Sequence, residues 1–426
     1  MARCAALVES PDAAELYEEV VKLQPNAVEA YAFLNAARGS VAVPTPYVAG
    51  GEAYGAVQGL AVARSLVARL AYAQAIDEIQ RLVRRHGNVA SLVALQATCH
   101  YMLNDGRRAQ ALYMKARKLD PSLMVEMGTY ADLLRTTTTD DNEHKLYELG
   151  SALLQTDQTR AEGWTTMARY LLLRGQLQEA LAISWKAQAL APGSADAFYI
   201  EGVIQMAAVC PEEAADAFLK AHMLARNALT YRGIVDAYLA CARYKDAFVV
   251  AKEAAELMPA HAQTLTMVGK VLSHSADTHE KAAELLRMAL REDRRCADAV
   301  DALASLYAAT GRHDEAIAVM DEFLAENPSD ALHAKLADIL TLADQLPRAA
   351  ENYAVALDIN PGNERARVGL NRVDRLMNPD AQHLQDGGNG EEEDEIGEPI
   401  DEPLPPSDQD DEMMLAMMRG EQGDIL

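Results

Sequence analysis

The chain has 426 residues, half of them apolar but only 5% aromatic, and carries a formal net charge of −25. An interior short of aromatic rings is filled by Ala, Leu, Val and Met, which suits thin stacked helices rather than one broad core. The acidic balance argues against nucleic acid as a partner, since phosphate backbones call for a concentrated basic face. No run of eighteen apolar residues predicts a membrane span. Met1 to Ala5, soon followed by Glu9, Asp12 and Glu15, lacks the apolar core of a secretory signal.

In chain order, helical spacing first runs from about Asp12 to Leu23 and stops at Pro25, and a second helix is predicted over 27–37. Gly39, Pro44, Pro46, Gly50 and Gly51 then interrupt the pattern. Residues 1–54 are therefore expected to be irregular helices with an insertion loop. Residues 55–377 read as continuous helical pairs. Ser122, Ser194 and Ser329, each following a Pro or Gly, are predicted to cap helix starts. Thr136 to Thr139 are expected to form a connector, with Asp140 and Glu143 opening the next helix. Glu364 to Met377 is predicted to be a polar capping helix displaying Arg365, Arg367, Arg372 and Arg375.

Residues 378–426 carry sixteen acids and one base, Arg419, and so hold −15 of the total charge. Few apolar residues and high charge predict disorder there. Met413 to Met418 is the one apolar island in that tail, either a short docking helix or an unstructured end.

A period near 34 residues organises the middle of the chain. Ala75, Ala109, Ala180, Ala214, Ala247, Ala282, Ala316 and Ala349 each lie twelve residues before a helix-ending position. Five residues before the same ending a second small slot holds Ala116, Ala187, Ala221, Ala254, Ala289 and Ala356, with Leu82 and Phe323 as exceptions. The 71-residue step from Ala109 to Ala180 spans one degenerate unit. This is the tetratricopeptide signature: paired antiparallel helices approach closely only where small side chains meet. In the unit 161–192, Trp164 fills the large slot, Gly175 makes the turn and Pro192 ends the second helix. The fold class is therefore all-α, a right-handed tetratricopeptide α-solenoid with a disordered acidic tail.

No constellation of catalytic residues emerges. Walker loops, dinucleotide glycine fingerprints and GxSxG elbows are missing from the sequence, and the reading is of a non-enzyme with no cofactor. His274 and His279 lack the further ligands of a zinc set. The five cysteines, Cys4, Cys99, Cys210, Cys241 and Cys296, never pair as CxxC and are expected to be free thiols in a reducing compartment, cytosol or nucleus. What such repeats offer is a surface. The first helix of each pair lines a concave side, and by register its outward residues include Arg169, Tyr199, Arg232, Asp236, Lys270, His274 and Asp301. The basic members suit carboxylates of a partner, and Tyr199 offers rigid contact area.

Several phrases resemble the subunit 7 family of the anaphase-promoting complex. They are Ala262-Gln263-Thr264-Leu265-Thr266, then Glu280-Lys281-Ala282 with Leu285-Leu286 to Ala289-Leu290. Ala225-Arg226 to Tyr238-Leu239-Ala240, Tyr353 to Asp358-Ile359-Asn360-Pro361, and Tyr130-Ala131-Asp132-Leu133-Leu134 are similar as well. The resemblance covers roughly 127–377, and the family also ends in an acidic tail. It implies a non-catalytic scaffold in a multisubunit ubiquitin ligase of the cell cycle, homodimeric and stacked on other tetratricopeptide subunits. The residues alone leave a second reading open: a freestanding peptide-binding adaptor or co-chaperone.

Overall fold

A computed structural model describes residues 51–136, 142–259 and 261–377. The helices expected over 12–23 and 27–37, the Pro/Gly stretch up to residue 50, the connector from Thr137 to Asp141 and the acidic tail with its Met cluster lie outside the described residues. The chain divides into two units, Met1–Pro259 and Ala260–Leu426. The repeats expected over 55–377 thus fall into two bodies, and the division comes at a repeat boundary, leaving each helix pair whole.

The first unit contains six helix pairs among the described residues: α1 (Gly51–Ala68) with α2 (Tyr72–His86), α3 (Ala90–Met102) with α4 (Gly106–Leu119), and α5 (Met127–Thr136) with α6 (Asn142–Thr156). They continue as α7 (Ala161–Leu173) with α8 (Leu177–Leu190), α9 (Ala195–Ala207) with α10 (Pro211–Leu224), and α11 (Ala228–Ala240) with α12 (Tyr244–Leu257). Each helix packs on the next in sequence, and each first helix from α3 to α11 also packs on the next first helix. The second unit repeats the scheme with α13 (Ala262–Leu272) and α14 (His279–Glu292), α15 (Ala297–Ala309) and α16 (His313–Glu326), then α17 (Asp330–Leu342) and α18 (Leu346–Ile359). The final helix α19 (Glu364–Met377) covers α17 and α18. Helix α1 starts at Gly51, inside the stretch expected to be irregular; the first amides of a helix need no carbonyl partner, so glycines are tolerated there.

The alanine slots are the floor of this packing. All eight alanines of the first slot and all six of the second are 0% exposed, and the exceptions Leu82 and Phe323 are buried too. In the degenerate unit the same register positions hold Leu146 and Leu153, both fully buried. Two glycines nearby face other bulky side chains: a Cβ on Gly150 would lie 2.6 Å from the Met167 sulfur, and one on Gly163 2.8 Å from Leu154. Close helix approach in this unit thus rests on small residues at other positions than the alanine slots.

The turn between the helices of a pair has its own constant. Five residues before the alanine slot the backbone is left-handed at Leu70, Asn104, Gly175, Val209, Ala242, Gly311 and Asp344, with φ between 56° and 74°. Gly175 makes its turn as the sequence predicts, but five of these seven positions are not glycine, so the turn geometry is set by helix packing rather than by residue type. Helix starts likewise differ from expectation. Ser194 and Ser329 occupy N-cap positions without making a side-chain cap bond. Ser122 lies in a turn, held by Asp120 Oδ1, five residues before α5 begins. Side-chain caps are made by Asp105 on α4, by Asn227 on α11 in a reciprocal box with Thr230, and by Asn363 on α19, whose Oδ1 accepts from the Ala366 amide at 3.0 Å. Anchoring by Trp164 is visible: the half-buried ring packs on Ala161, Ala187 and Ala197, its Nε1 donates to Gln158 O at 2.9 Å, and Lys186 Nζ lies 3.4 Å from its centroid.

Candidate docking surface

The first helices of the first unit are joined by a buried ionic ladder. Asp132 on α5 is 0% exposed. It accepts from Tyr101 Oη on α3 at 2.9 Å and from Arg135 Nε and Nη2 at 3.1 and 3.0 Å. Arg169 on α7, also 0% exposed, stands with Nε 3.7 Å from Asp132 Oδ1 and donates through Nη1 and Nη2 to both carboxylate oxygens of Asp196 on α9. Burial by itself would raise the Asp132 carboxyl, but the guanidinium groups of Arg135, Arg169 and Arg232 outweigh it and hold it at about 2. Burial also opposes the charge on Arg169, which Asp196 and Asp132 restore, keeping it above the usual arginine range. The tyrosine hydroxyls of Tyr101 and Tyr199 are pushed up by the same burial and by the Asp132 charge.

A cavity of about 310 Å³ opens beside this ladder, lined among others by Glu126, Asp132, Arg169, Asp196, Tyr199 and Asn227. The Ala228 amide donates to Tyr72 Oη at 3.4 Å, tying α2 to α11. The inner face of the first unit is thus crossed by its own side chains.

The residues picked out by register differ in environment within each unit. Arg169 and Tyr199 were expected to face outward; instead Arg169 is fully buried on internal carboxylates, and Tyr199 is 6% exposed against Phe218, with ring centroids 5.6 Å apart. Helical register identifies the side of the first helix, but the curvature that turns this side inward is set by tertiary stacking. Arg232 and Asp236 on α11 are half-buried. In the second unit Lys270 is half-buried on α13, while His274 is exposed in the long turn after it, beyond the helix expected to carry it. Asp301 on α15 accepts from Lys335 Nζ on α17 at 2.5 Å, again a link between successive first helices. Asp338 on α17 likewise accepts from Tyr353 Oη and from Arg365 Nε, the latter at 2.7 Å. The signal that would have found these pairs is an acid and a base on successive first helices, 27 residues apart for Arg169–Asp196 and for Asp338–Arg365, and 34 for Asp301–Lys335.

Cys99, Cys210, Cys241 and Cys296 are free, and Cys4 lies outside the described residues. Burial pushes the thiols of Cys99 and Cys296 up to about 12 and about 11, so neither is poised as a nucleophile. Among the described residues no group of three His, Cys, Asp or Glu side chains is arranged to hold a metal ion, and no helix is long and apolar enough to cross a membrane.

Known proteins share this architecture. The tetratricopeptide repeat family model matches residues 273–339. Anaphase-promoting complex subunit 7 of Arabidopsis thaliana is 31% identical over 322 residues, covering 75% of this chain and 57% of that protein. The Homo sapiens subunit 7 is 28% identical over 310 residues, 71% of this chain and 54% of that one. The chain thus spans a little over half the length of these relatives. A chain in the crystal structure of the APC/C hetero-tetramer Cut9–Hcn1 superposes with a TM-score of 0.63 at 17% identity, over 86% of this chain and 74% of its own. The chain is a stack of tetratricopeptide repeats and, by sequence, a relative of subunit 7 of the anaphase-promoting complex.

Proposed function

We propose that the chain is a non-catalytic scaffold subunit of an anaphase-promoting complex, docking other tetratricopeptide subunits through its repeats and pairing with a second copy of itself. The observation that carries this reading is the extended likeness to subunit 7 proteins, 31% and 28% identical over about three quarters of the chain. The ladder fits the role. A scaffold needs successive repeats held at fixed angles, and Asp132, Arg169 and Asp196 lock three first helices to one another. It fits less well a co-chaperone groove that clamps a partner's carboxylate, because Arg169 already holds two internal ones. The work of such a subunit is in the nucleus or cytoplasm of dividing cells, where free thiols persist.

Affinity purification of the tagged chain from dividing cells, with mass spectrometry of everything retained, tests this. The scaffold reading expects several large ligase subunits in stable proportion. Retention of chaperones alone would replace it with the adaptor reading.

A further inference from the structure

The second unit carries a basic and apolar face where α19 meets α17. At helical spacing Arg365, Val368, Arg372, Arg375 and Leu376 fall on one flank of α19, while Ala366, Gly369 and Val373 are buried on another. Asp338 on α17 fixes where that flank lies. It accepts from Arg365 Nε at 2.7 Å, and Arg372 Nη2 stands 3.8 Å from its other oxygen. Leu342, one turn past Asp338, adds an apolar group on the same side of α17. The Arg365 and Arg372 side chains are each 60% exposed, and Leu342, Val368 and Leu376 are 68%, 57% and 54% exposed.

Charge is not balanced there. Three guanidinium groups face one carboxylate, and Asp338 also accepts from Tyr353 Oη on α18. The acids of α19 itself are occupied or turned away: Glu364 pairs with Arg367, and Asp374 falls on the opposite flank. The complement of such a face is a run of acids beside large apolar residues, which a protein segment supplies and a phosphate polymer does not. Residues 378–426 contain one: Asp408-Gln409-Asp410-Asp411-Glu412 followed by Met413-Met414-Leu415-Ala416-Met417-Met418. It is tethered to α19, since thirty residues separate it from Met377. A chain of that length spans about 30 Å root mean square. The fourteen-residue helix is about 21 Å long, so the whole flank is within reach.

We infer that the face of α17 and α19 is covered by the acidic and apolar segment Asp408–Met418 of the same chain. Its acids meet Arg372 and Arg375, and its Met–Leu island covers Leu342, Val368 and Leu376. The tether makes the contact intramolecular, at an effective concentration of about a millimolar, so ion pairs that are weak at a surface suffice to hold it. Seated there, the segment closes the face to other acidic partners. The inference does not rest on the ligase reading.

The test uses full-length chain. One preparation carries a photo-crosslinking benzoylphenylalanine in place of Leu415; the other is uniformly ¹⁵N-labelled and unmodified. The two are mixed, irradiated and digested. Expected are crosslinks of one isotope only, from the segment to residues 338–376. Asp410→Lys, Asp411→Lys and Glu412→Lys together, which leave the repeats untouched, should cut their yield about fivefold. Arg372→Glu with Arg375→Glu should do the same, and both sets combined in one chain should restore it. The two arginines are exposed. A thermal melt by circular dichroism confirms folding, and Arg372→Gln with Arg375→Gln gives a milder variant if the reversed one fails. Crosslinks that reach the labelled copy, crosslinks elsewhere on the chain, or a yield indifferent to the lysine substitutions would each overturn the inference.

Discussion

Arg169 and Asp196 form a two-pronged ion pair between α7 and α9, with Nη1 donating to Oδ2 at 3.1 Å and Nη2 to Oδ1. The arginine side chain is 1% exposed and the aspartate 34%, so the pair straddles the edge of the cavity. Its inner half is shared with Asp132, and this makes Arg169 the hinge of the ladder.

Truncating that hinge leaves Asp132 with less of its balancing charge in a buried place. Arg169→Ala is expected to lower stability by about 3–5 kcal/mol, the usual consequence of removing one partner of a buried pair. Arg169→Lys should recover part of this but not the two-pronged geometry. Urea unfolding followed by circular dichroism checks both. An Arg169→Ala midpoint equal to wild type would show the ladder to be decorative.

The same cluster gives a pH dependence of definite sign. The Asp132 carboxyl is held at about 2 in the folded chain, below its usual 3.8, by Arg135, Arg169 and Arg232 against burial. A lowered carboxyl contributes stability that is complete above about pH 4 and disappears as pH falls through about 2. The difference corresponds to about 2 kcal/mol. Asp132→Asn should therefore flatten the acid limb of the stability curve between pH 4 and 2, as read from melting temperatures across that range.

Strain at the turns gives a stabilising prediction. Val209 holds φ 58° and is 85% exposed, so it keeps a left-handed backbone with a branched side chain that buries little. Val209→Gly is expected to raise stability by about 1 kcal/mol. Gly311, in the corresponding turn between α15 and α16 and already at φ 74°, should lose a similar amount as Gly311→Val. Opposite signs for the two substitutions are the signature; equal signs would remove the argument.

Phe218 is seated between two glycines, with a Cβ on Gly202 or Gly233 falling 2.7 Å from its ring. Gly233→Ala is expected to cost about 1–3 kcal/mol by overpacking. Adding Phe218→Leu, which frees the space, should return part of it. Double-mutant denaturation measures the coupling, and strict additivity would mean the ring is not the obstacle.

The repeat was legible because close helix approach requires small side chains, and a sequence records size directly. Ala180 and Ala187 announce their burial by spacing alone. Leu146 and Leu153 did not, since large side chains stand there in place of the alanines, and their burial is visible only once the helices are placed. Arg169 was assigned to the correct helix but the wrong environment. Its partners Asp132 and Asp196 lie 37 residues before and 27 residues after it, and periodicity says which side a residue is on, not how tightly the stack folds about that side.

Immunodepletion of this chain from an extract of mitotic cells tests the scaffold reading most directly. The account predicts that the other tetratricopeptide subunits leave the extract with it and that ubiquitylation of cell-cycle regulators falls in parallel. An extract stripped of the chain, yet retaining those subunits and that activity in full, would contradict it.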